Sequence, residues 1–140
     1  MKNRQTNGFT LMELLIVLVI IGLLAALVGP NLYKRLKPAK QSVAKAQIKN
    51  FLTALDTFFV DNGRFPTTQE GLTVLTSKST EFKNWNGPYL KEALPEDPWG
   101  NPYHYRSPGQ HGDYEIITYG ADGKQGGQGE NRDINSWDSL

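Results

Sequence analysis

The stretch FTLMELLIVLVIIGLLAALV, residues 9–28, decides the fold, because it is almost wholly apolar and contains a single charged side chain, Glu13. As an α-helix, which rises about 1.5 Å per residue, it would be about 30 Å long and would match the hydrocarbon thickness of a bilayer. The sequence therefore predicts a membrane-spanning helix, and the 140-residue chain leaves room for one small domain after it.

A secretory signal peptide is the first alternative, because Lys2 and Arg4 precede the apolar stretch. A signal peptide has a shorter apolar core and a small-residue cleavage site after it. The segment Ala25-Ala26-Leu27 fits such a cleavage site poorly. A membrane anchor is the better interpretation.

Glu13 needs a partner, because a carboxylate inside a membrane helix costs on the order of 3 kcal/mol. The sequence has no Lys, Arg or His between Arg4 and Lys34. If the chain were cut after Gly8, the new α-amine of Phe9 would lie four residues from Glu13, on the same helical face. The pair could form within one copy or between neighbouring copies.

The segment GFTLME, residues 8–13, after a short basic leader and before a long apolar helix, resembles the prepilin signature of type IV pilins and type II secretion pseudopilins. The resemblance implies that a prepilin peptidase in the inner membrane cleaves after Gly8 and N-methylates Phe9. It also implies that Phe9 and Glu13 guide each subunit into a helical homopolymer. The alternative is an ordinary signal anchor in which Glu13 is accidental.

A second helical segment is expected at residues 30–62. Pro30 removes one helical hydrogen bond, so we expect a kink or break near Gly29 and Pro30. Gly63 is a good terminator. Between them apolar residues recur at three- and four-residue spacing, which is typical of an amphipathic helix packed on a sheet: Ala44, Ile48, Phe51, Leu52, Leu55, Phe58 and Phe59.

The region beyond residue 62 is expected to be a loop-rich periplasmic part, residues 63–140. Thr67 and Glu70 fit a capping box at the start of a short helix that ends near Ser77, with Leu72 and Leu75 facing inward.

Two β-prone segments, residues 103–105 and 114–119, flank a turn-rich connection at residues 107–112, which predicts a hairpin. The fold class is therefore α+β. It consists of a leader at residues 1–8, a long helix with an apolar half (9–29) and an amphipathic half (30–62), and a small antiparallel sheet with a loop-rich C-terminal half.

Composition argues against an enzyme and against nucleic-acid binding. The chain has no cysteine and two histidines, His104 and His111, and no Ser, Asp and His pattern stands out. The basic stretch after the apolar helix lacks interleaved aromatic residues and lies next to a membrane segment. We therefore expect neither catalysis nor a nucleic-acid partner.

The glycine-rich segment at residues 119–134 is the strongest local signal in the polar part of the chain. It combines the carboxylates of Asp122, Glu130 and Asp133 and the amide of Asn131 with many glycines. Calcium takes six to eight oxygen ligands of these kinds. The spacing is not that of an EF-hand, so composition alone leaves a calcium site and a disordered loop as equal alternatives.

The C-terminal half also resembles the major pseudopilin family of type II secretion systems. The resemblance lies in the segments DPWGNPY (97–103), SPG (107–109), GADG (120–123) and DINSW (133–137). It implies a calcium site with Asp122 and Asp133 as acidic ligands. The other implied ligands are backbone oxygens around Tyr119 and Lys124 and one side chain, either Glu130 or Asn131.

The family resemblance implies a function in assembly. The subunit would polymerise into the periplasmic pseudopilus that drives export of folded proteins across the outer membrane, together with minor pseudopilins, the prepilin peptidase and the inner-membrane secretion platform. It implies a single-pass inner-membrane protein with a periplasmic C-terminal domain. Counting Lys and Arg alone would place that domain in the cytoplasm, and we follow the resemblance.

Two other functions remain as alternatives. One is a type IV pilin of an adhesive or motility fibre, against which the absence of a C-terminal cysteine pair argues. The other is a signal-anchored periplasmic binding module or enzyme.

Overall fold

The computed structural model describes residues 8–139, so the expected leader lies outside the described residues except for Gly8. The chain divides into two compact units, Met1–Leu36 and Lys37–Leu140. The element order is one α-helix followed by short 3-10 helices and strands. This confirms the expected α+β class.

Helix α1 comprises Leu11–Asn62. Gly29 and Pro30 are both helical, so the expected break of the helix there is wrong, and the expected long helix with an apolar half and an amphipathic half is confirmed. Proline lacks the amide hydrogen that would bond the carbonyl of Ala26, but the hydrogen bonds of the flanking turns do not depend on it.

The C-terminal end of α1 is where the sequence predicts it. Gly63 has a positive φ of 73°, a conformation that glycine adopts without a steric penalty. Its amide still donates to the carbonyl oxygen of Phe59 at 2.7 Å. The chain leaves the helix at this glycine, which confirms the expected terminator.

In the unit Met1–Leu36, the described side chains of residues 8–30 are all exposed. The segment Leu11–Pro30 is long and apolar enough to cross a membrane. The atoms that cover this apolar surface must therefore lie outside the described residues of this chain.

In the unit Lys37–Leu140, the amphipathic stripe of α1 forms one side of the core. Ile48, Phe51, Leu55 and Phe58 have no exposed surface. Phe59 is 43% exposed, so it lies at the edge of the stripe rather than within the core. The other buried apolar residues are Ala44, Ala54, Leu72, Val74, Leu75, Phe82, Tyr103, Ile116 and Ile134.

The predicted short helix is a 3-10 helix, Leu72–Leu75, and not a longer helix that runs to Ser77. Gly71, with φ of 62°, interrupts regular helix immediately before it. The capping box itself is confirmed. The Thr67 amide donates to Glu70 Oε2 at 2.7 Å, and the Glu70 amide donates to Thr67 Oγ1 at 3.3 Å.

The described residues form a three-stranded antiparallel sheet in the order β1-β2-β3, with β1 at His104–Arg106, β2 at Glu115–Thr118 and β3 at Ile134–Asn135. The predicted hairpin is β1 and β2, paired with Tyr105 opposite Ile116. Strand β3 was not predicted, because it is a two-residue strand whose pairing partner lies in another part of the chain.

A bidentate ion pair closes the loop that follows α1. Arg64 donates from Nη1 to Glu70 Oε2 at 2.7 Å and from Nη2 to Oε1 at 2.6 Å. The guanidinium also lies over the Phe82 ring, 4.5 Å from its centroid. The hydrogen bonds from Arg64 are the main reason why the pKa of Glu70 is lowered to about 2.

This ion pair predicts a pH dependence of stability. Because the folded-state pKa of Glu70 is depressed, its contribution is present above its ordinary pKa and is lost as the pH falls from about 4.5 towards about 2. Urea unfolding of the full chain in detergent should show Glu70→Gln less stable than wild type at about pH 7, with the difference shrinking at about pH 3. The exposed Glu92→Gln is the control and should show no such change. A difference between wild type and Glu70→Gln that is independent of pH would contradict the prediction.

Candidate assembly and calcium sites

Glu13 lies in the first turn of α1 and is bonded to Thr10. The Thr10 amide and hydroxyl both donate to Glu13 Oε2, at 2.9 and 3.1 Å, and the Glu13 amide donates to Thr10 Oγ1 at 3.2 Å. This is a capping box, and the carboxylate also lies at the positive end of the helix dipole. The sequence prediction missed Thr10 although Thr10-Leu-Met-Glu13 has the capping-box spacing.

Gly8 and Phe9, the expected cleavage and methylation sites, precede this capping box and are exposed. Phe9 is 84% exposed. Its nitrogen is a peptide nitrogen in this chain, so an amine that can pair with Glu13 arises only if the bond after Gly8 is cut. Cleavage, methylation and the pairing of Phe9 with Glu13 therefore stay predictions.

The glycine-rich segment is folded and has defined ends. It contains two short 3-10 helices, Gly120–Asp122 and Gly129–Asn131. Gly120, at φ of 66°, packs so closely that an added Cβ would lie 2.6 Å from the carbonyl oxygen of Glu130. This contact brings the two ends of the segment together, so the disordered-loop alternative is wrong.

The two expected acidic ligands differ in environment. Asp122 is exposed, and its Oδ1 accepts from the Lys124 amide at 3.2 Å. Asp133 accepts from the Gly126 amide through Oδ2 at 2.8 Å. Its other oxygen, Oδ1, is buried and has no hydrogen-bond partner among residues 8–139. A buried carboxylate oxygen without a donor is costly, and a cation would satisfy it.

The remaining expected ligands lie on the same segment. Tyr119 packs its ring on His104 with 4.6 Å between centroids, and Asn131 and Glu130 are half-buried in the second 3-10 helix. No group of three or more His, Asp or Glu side chains suited to a metal occurs within residues 8–139. A calcium ion here would therefore require backbone carbonyl oxygens as well as carboxylates, which is a usual mixture for calcium.

The loop is attached to its surroundings by side chains that sequence reasoning did not assign. Gln41 on α1 donates from Nε2 to the carbonyl oxygen of Gly129. Asn101 donates from Nδ2 to the carbonyl oxygen of Gly120 at 3.0 Å. The signal for Asn101 was its place after an Asp-Pro-Trp-Gly turn, but a turn motif does not say which part of the chain it contacts.

His111 belongs to a separate cluster and pairs with Glu115. Its Nδ1 lies 2.7 Å from Glu115 Oε1, and its ring stacks on Trp137 at 4.2 Å. Burial raises the pKa of Glu115, but hydrogen bonds from the His111 side chain and from the His111 and Gln110 amides outweigh burial and leave the pKa lowered. These contacts attach the hairpin loop to the C-terminal segment.

Residues 31–137 match the family model described as Type II secretion system (T2SS), protein G. The chain belongs to the type II secretion system protein G family. Residues 3–29 of this protein G chain also match the prokaryotic N-terminal methylation motif, so its N-terminal segment carries the methylation signature. The apolar helix Leu11–Pro30 and the methylation signature together indicate a membrane-anchored structural component of the secretion system.

Curated relatives extend the match over nearly the whole chain. The type II secretion system core protein G of Pseudomonas aeruginosa is 47% identical over 142 residues, covering 99% of this chain and 100% of the relative. The core protein G of Vibrio cholerae is 45% identical, covering 97% of this chain and 94% of the relative.

A solved structure confirms the fold. The crystal structure of the major pseudopilin from the type 2 secretion system of enterohaemorrhagic Escherichia coli superimposes with a TM-score of 0.63 at 32% identity. The match covers 77% of this chain and 95% of that one. The resemblance to the major pseudopilin family that the sequence indicated is therefore confirmed.

Proposed function

We propose that this protein is the major subunit of a periplasmic pseudopilus that drives export of folded proteins across the outer membrane. The observation that carries the proposal is the apolar half of α1. Its described side chains are exposed over residues 8–30 in a single copy. A surface of this kind needs lipid or other apolar helices around it. A subunit that is first surrounded by lipid and later packed among identical copies has apolar surroundings in both states.

The transfer from membrane to filament keeps the apolar helix in apolar surroundings. The hydrophobic free energy changes little when lipid tails are replaced by neighbouring apolar helices, so packing and polar contacts decide whether assembly occurs. Glu13 is the one ionisable group in this region, so it is the residue able to specify register. The capping bonds from Thr10 reduce the cost of its carboxylate while the subunit waits.

The amine of Phe9 completes this arrangement after cleavage behind Gly8. Phe9 lies two residues before the start of α1, so the expected position of its amine on the same helical face as Glu13 is wrong. The amine would still be close to Glu13 along the chain, and the two opposite charges would attract each other in low dielectric surroundings. In a helical homopolymer each Glu13 would meet the Phe9 amine of a neighbouring copy. The partners are then the prepilin peptidase, further copies, minor pseudopilins and the inner-membrane platform, and the domain after the helix is periplasmic.

The type IV pilin alternative is weaker than the pseudopilus. The protein G family model covers residues 31–137, which is the part of the chain in which the two kinds of subunit would differ. The apolar helix and methylation motif are common to both. The match over residues 31–137, rather than the N-terminal helix, therefore favours secretion over an adhesive or motility fibre.

The proposal includes a structural calcium ion in this loop. The residues present fit calcium, because Asp133 Oδ1 is buried without a donor in the described structure and Asp122 lies on the same folded segment. A calcium ion would supply positive charge to these oxygens and restrict a loop that buries little apolar surface of its own. Backbone oxygens around Tyr119 and Lys124 and a side-chain oxygen of either Glu130 or Asn131 would complete the site.

Processing predicts a defined N-terminus. Mass spectrometry of the protein purified from membranes of its secreting host should find a mature chain that begins with N-methylated Phe9. An unmodified chain beginning at Met1 would contradict the processing step, and the Phe9 amine would then be unavailable to Glu13.

The proposed role of Glu13 predicts that its substitution abolishes assembly but leaves membrane insertion intact. Glu13→Ala should abolish secretion in a strain that lacks its own copy, while the variant still fractionates with the inner membrane, because removing a charge favours insertion. Glu92→Ala is the control, because it removes an exposed carboxylate in the unit Lys37–Leu140, and a strain that carries it should secrete normally. Normal secretion by Glu13→Ala would support a signal-anchored module instead.

Calcium predicts a stability difference. At a free calcium concentration a hundredfold above Kd, binding should stabilise the full chain by about 2.7 kcal/mol, so a chelator should lower the Tm. Asp133→Ala should lose this response, whereas Asp138→Ala, an exposed carboxylate of the same tail, should keep it. Identical melting curves of wild type with calcium and with chelator would exclude the calcium ion.

A further inference from the structure

The turn at residues 97–101 begins with a buried aspartate and is hydrogen-bonded to the start of the glycine-rich segment. Asp97 is 4% exposed, and its Oδ1 accepts from the amides of Trp99 at 3.0 Å and Asn101 at 2.8 Å. The Asp97 amide in turn donates to the carbonyl oxygen of Asn101 at 2.8 Å. Asn101 is therefore fixed at both its backbone nitrogen and its backbone oxygen by one residue.

The same carboxylate connects this turn to the end of strand β2. Asp97 Oδ2 accepts a short hydrogen bond from Thr118 Oγ1, and Thr118 has no exposed surface. The Gly120 amide donates to the same Thr118 hydroxyl at 3.3 Å. A satisfied buried network of this kind defines one arrangement of the groups it joins. The amide of Gly120, the first residue of the 3-10 helix Gly120–Asp122, is thus linked to the turn through the Thr118 hydroxyl.

Asn101 provides a second attachment, at the carbonyl of Gly120. Its Nδ2 donates to that oxygen at 3.0 Å, and its Oδ1 would lie 3.6 Å from a Cβ added to Gly123. The carboxamide therefore lies beside both ends of the 3-10 turn Gly120–Asp122. Asp122 is the last residue of that turn, so the contacts of Asn101 lie on both sides of it along the chain.

We propose that Asn101 is a positioning residue of the calcium site, fixed by Asp97 and acting through the Gly120 carbonyl. The inference rests on the calcium ion in the proposed function. Asn101 does not bind the ion itself. It holds the Gly120–Asp122 turn in its binding conformation in the calcium-free protein. Residues that orient metal ligands from behind typically change metal affinity by tenfold or more when they are substituted. Preorganisation is the physical reason, since an unrestrained turn loses more conformational entropy on binding.

The test compares Asn101→Ala with Asn62→Ala in the full chain in detergent. Asn62 is a matched control, because it is also half-buried and donates from Nδ2 to a backbone carbonyl oxygen, that of Phe58, at 3.0 Å. Calcium titration by calorimetry gives the affinity, and melting in chelator gives the stability without calcium. Asn101→Ala should weaken calcium binding by about tenfold, and Asn62→Ala should leave it unchanged.

A purely structural role of Asn101 would give a different pattern. Both variants would then melt at lower temperature in chelator, and both would bind calcium with wild-type affinity, which would overturn the inference. If wild type itself does not bind calcium, the calcium part of the proposed function fails as well, so the two failures are distinguishable. Should Asn101→Ala not fold, Asn101→Ser keeps a polar side chain too short to reach Gly120 and should show the same loss of affinity. Unchanged affinity in Asn101→Ser would also overturn the inference.

Discussion

The apolar side chains of residues 9–28 are exposed in the single copy, and their contact with water is unfavourable. The described atoms of the chain do not cover them. A lipid bilayer does, and so does a set of identical helices. Under the proposed function, the same helix must be stable in both surroundings and must carry a signal that distinguishes them, and Glu13 is the proposed signal.

The polar bonds at the start of α1 explain how one carboxylate can serve both states. In the chain as described, Thr10 satisfies Glu13 locally through three hydrogen bonds. In the proposed function, cleavage after Gly8 would provide a positively charged amine nearby, and a bond between two charged groups is stronger than a bond between a carboxylate and neutral donors. The carboxylate would then exchange part of its Thr10 cap for an ionic contact between copies.

The unit Lys37–Leu140 has a different constraint, which is its own stability. It is small, has no cysteine and contains a sheet of three short strands in its described part. One stripe of α1 supplies much of its apolar core. Its loops are held by three carboxylates that each accept several hydrogen bonds. Glu70 accepts from Arg64 and Thr67, and Glu115 accepts from Gln110 and His111. Asp97 accepts from the amides of Trp99 and Asn101. Such networks define one loop conformation where apolar burial is insufficient.

The sequence by itself determined the features that depend on neighbours along the chain: the apolar helix, the stripe from Ala44 to Phe58, the stop at Gly63 and the β1–β2 hairpin. Local periodicity and turn chemistry are sufficient for these, and the family resemblance added the expected assembly and calcium residues. The tertiary structure alone decided that Pro30 stays helical, that β3 pairs with β2, and that Asp133 buries an oxygen without a donor. It also decided that Asn101 supports Gly120. These features depend on atoms brought together from distant parts of the chain, or on a balance of many helical bonds, which no local pattern records.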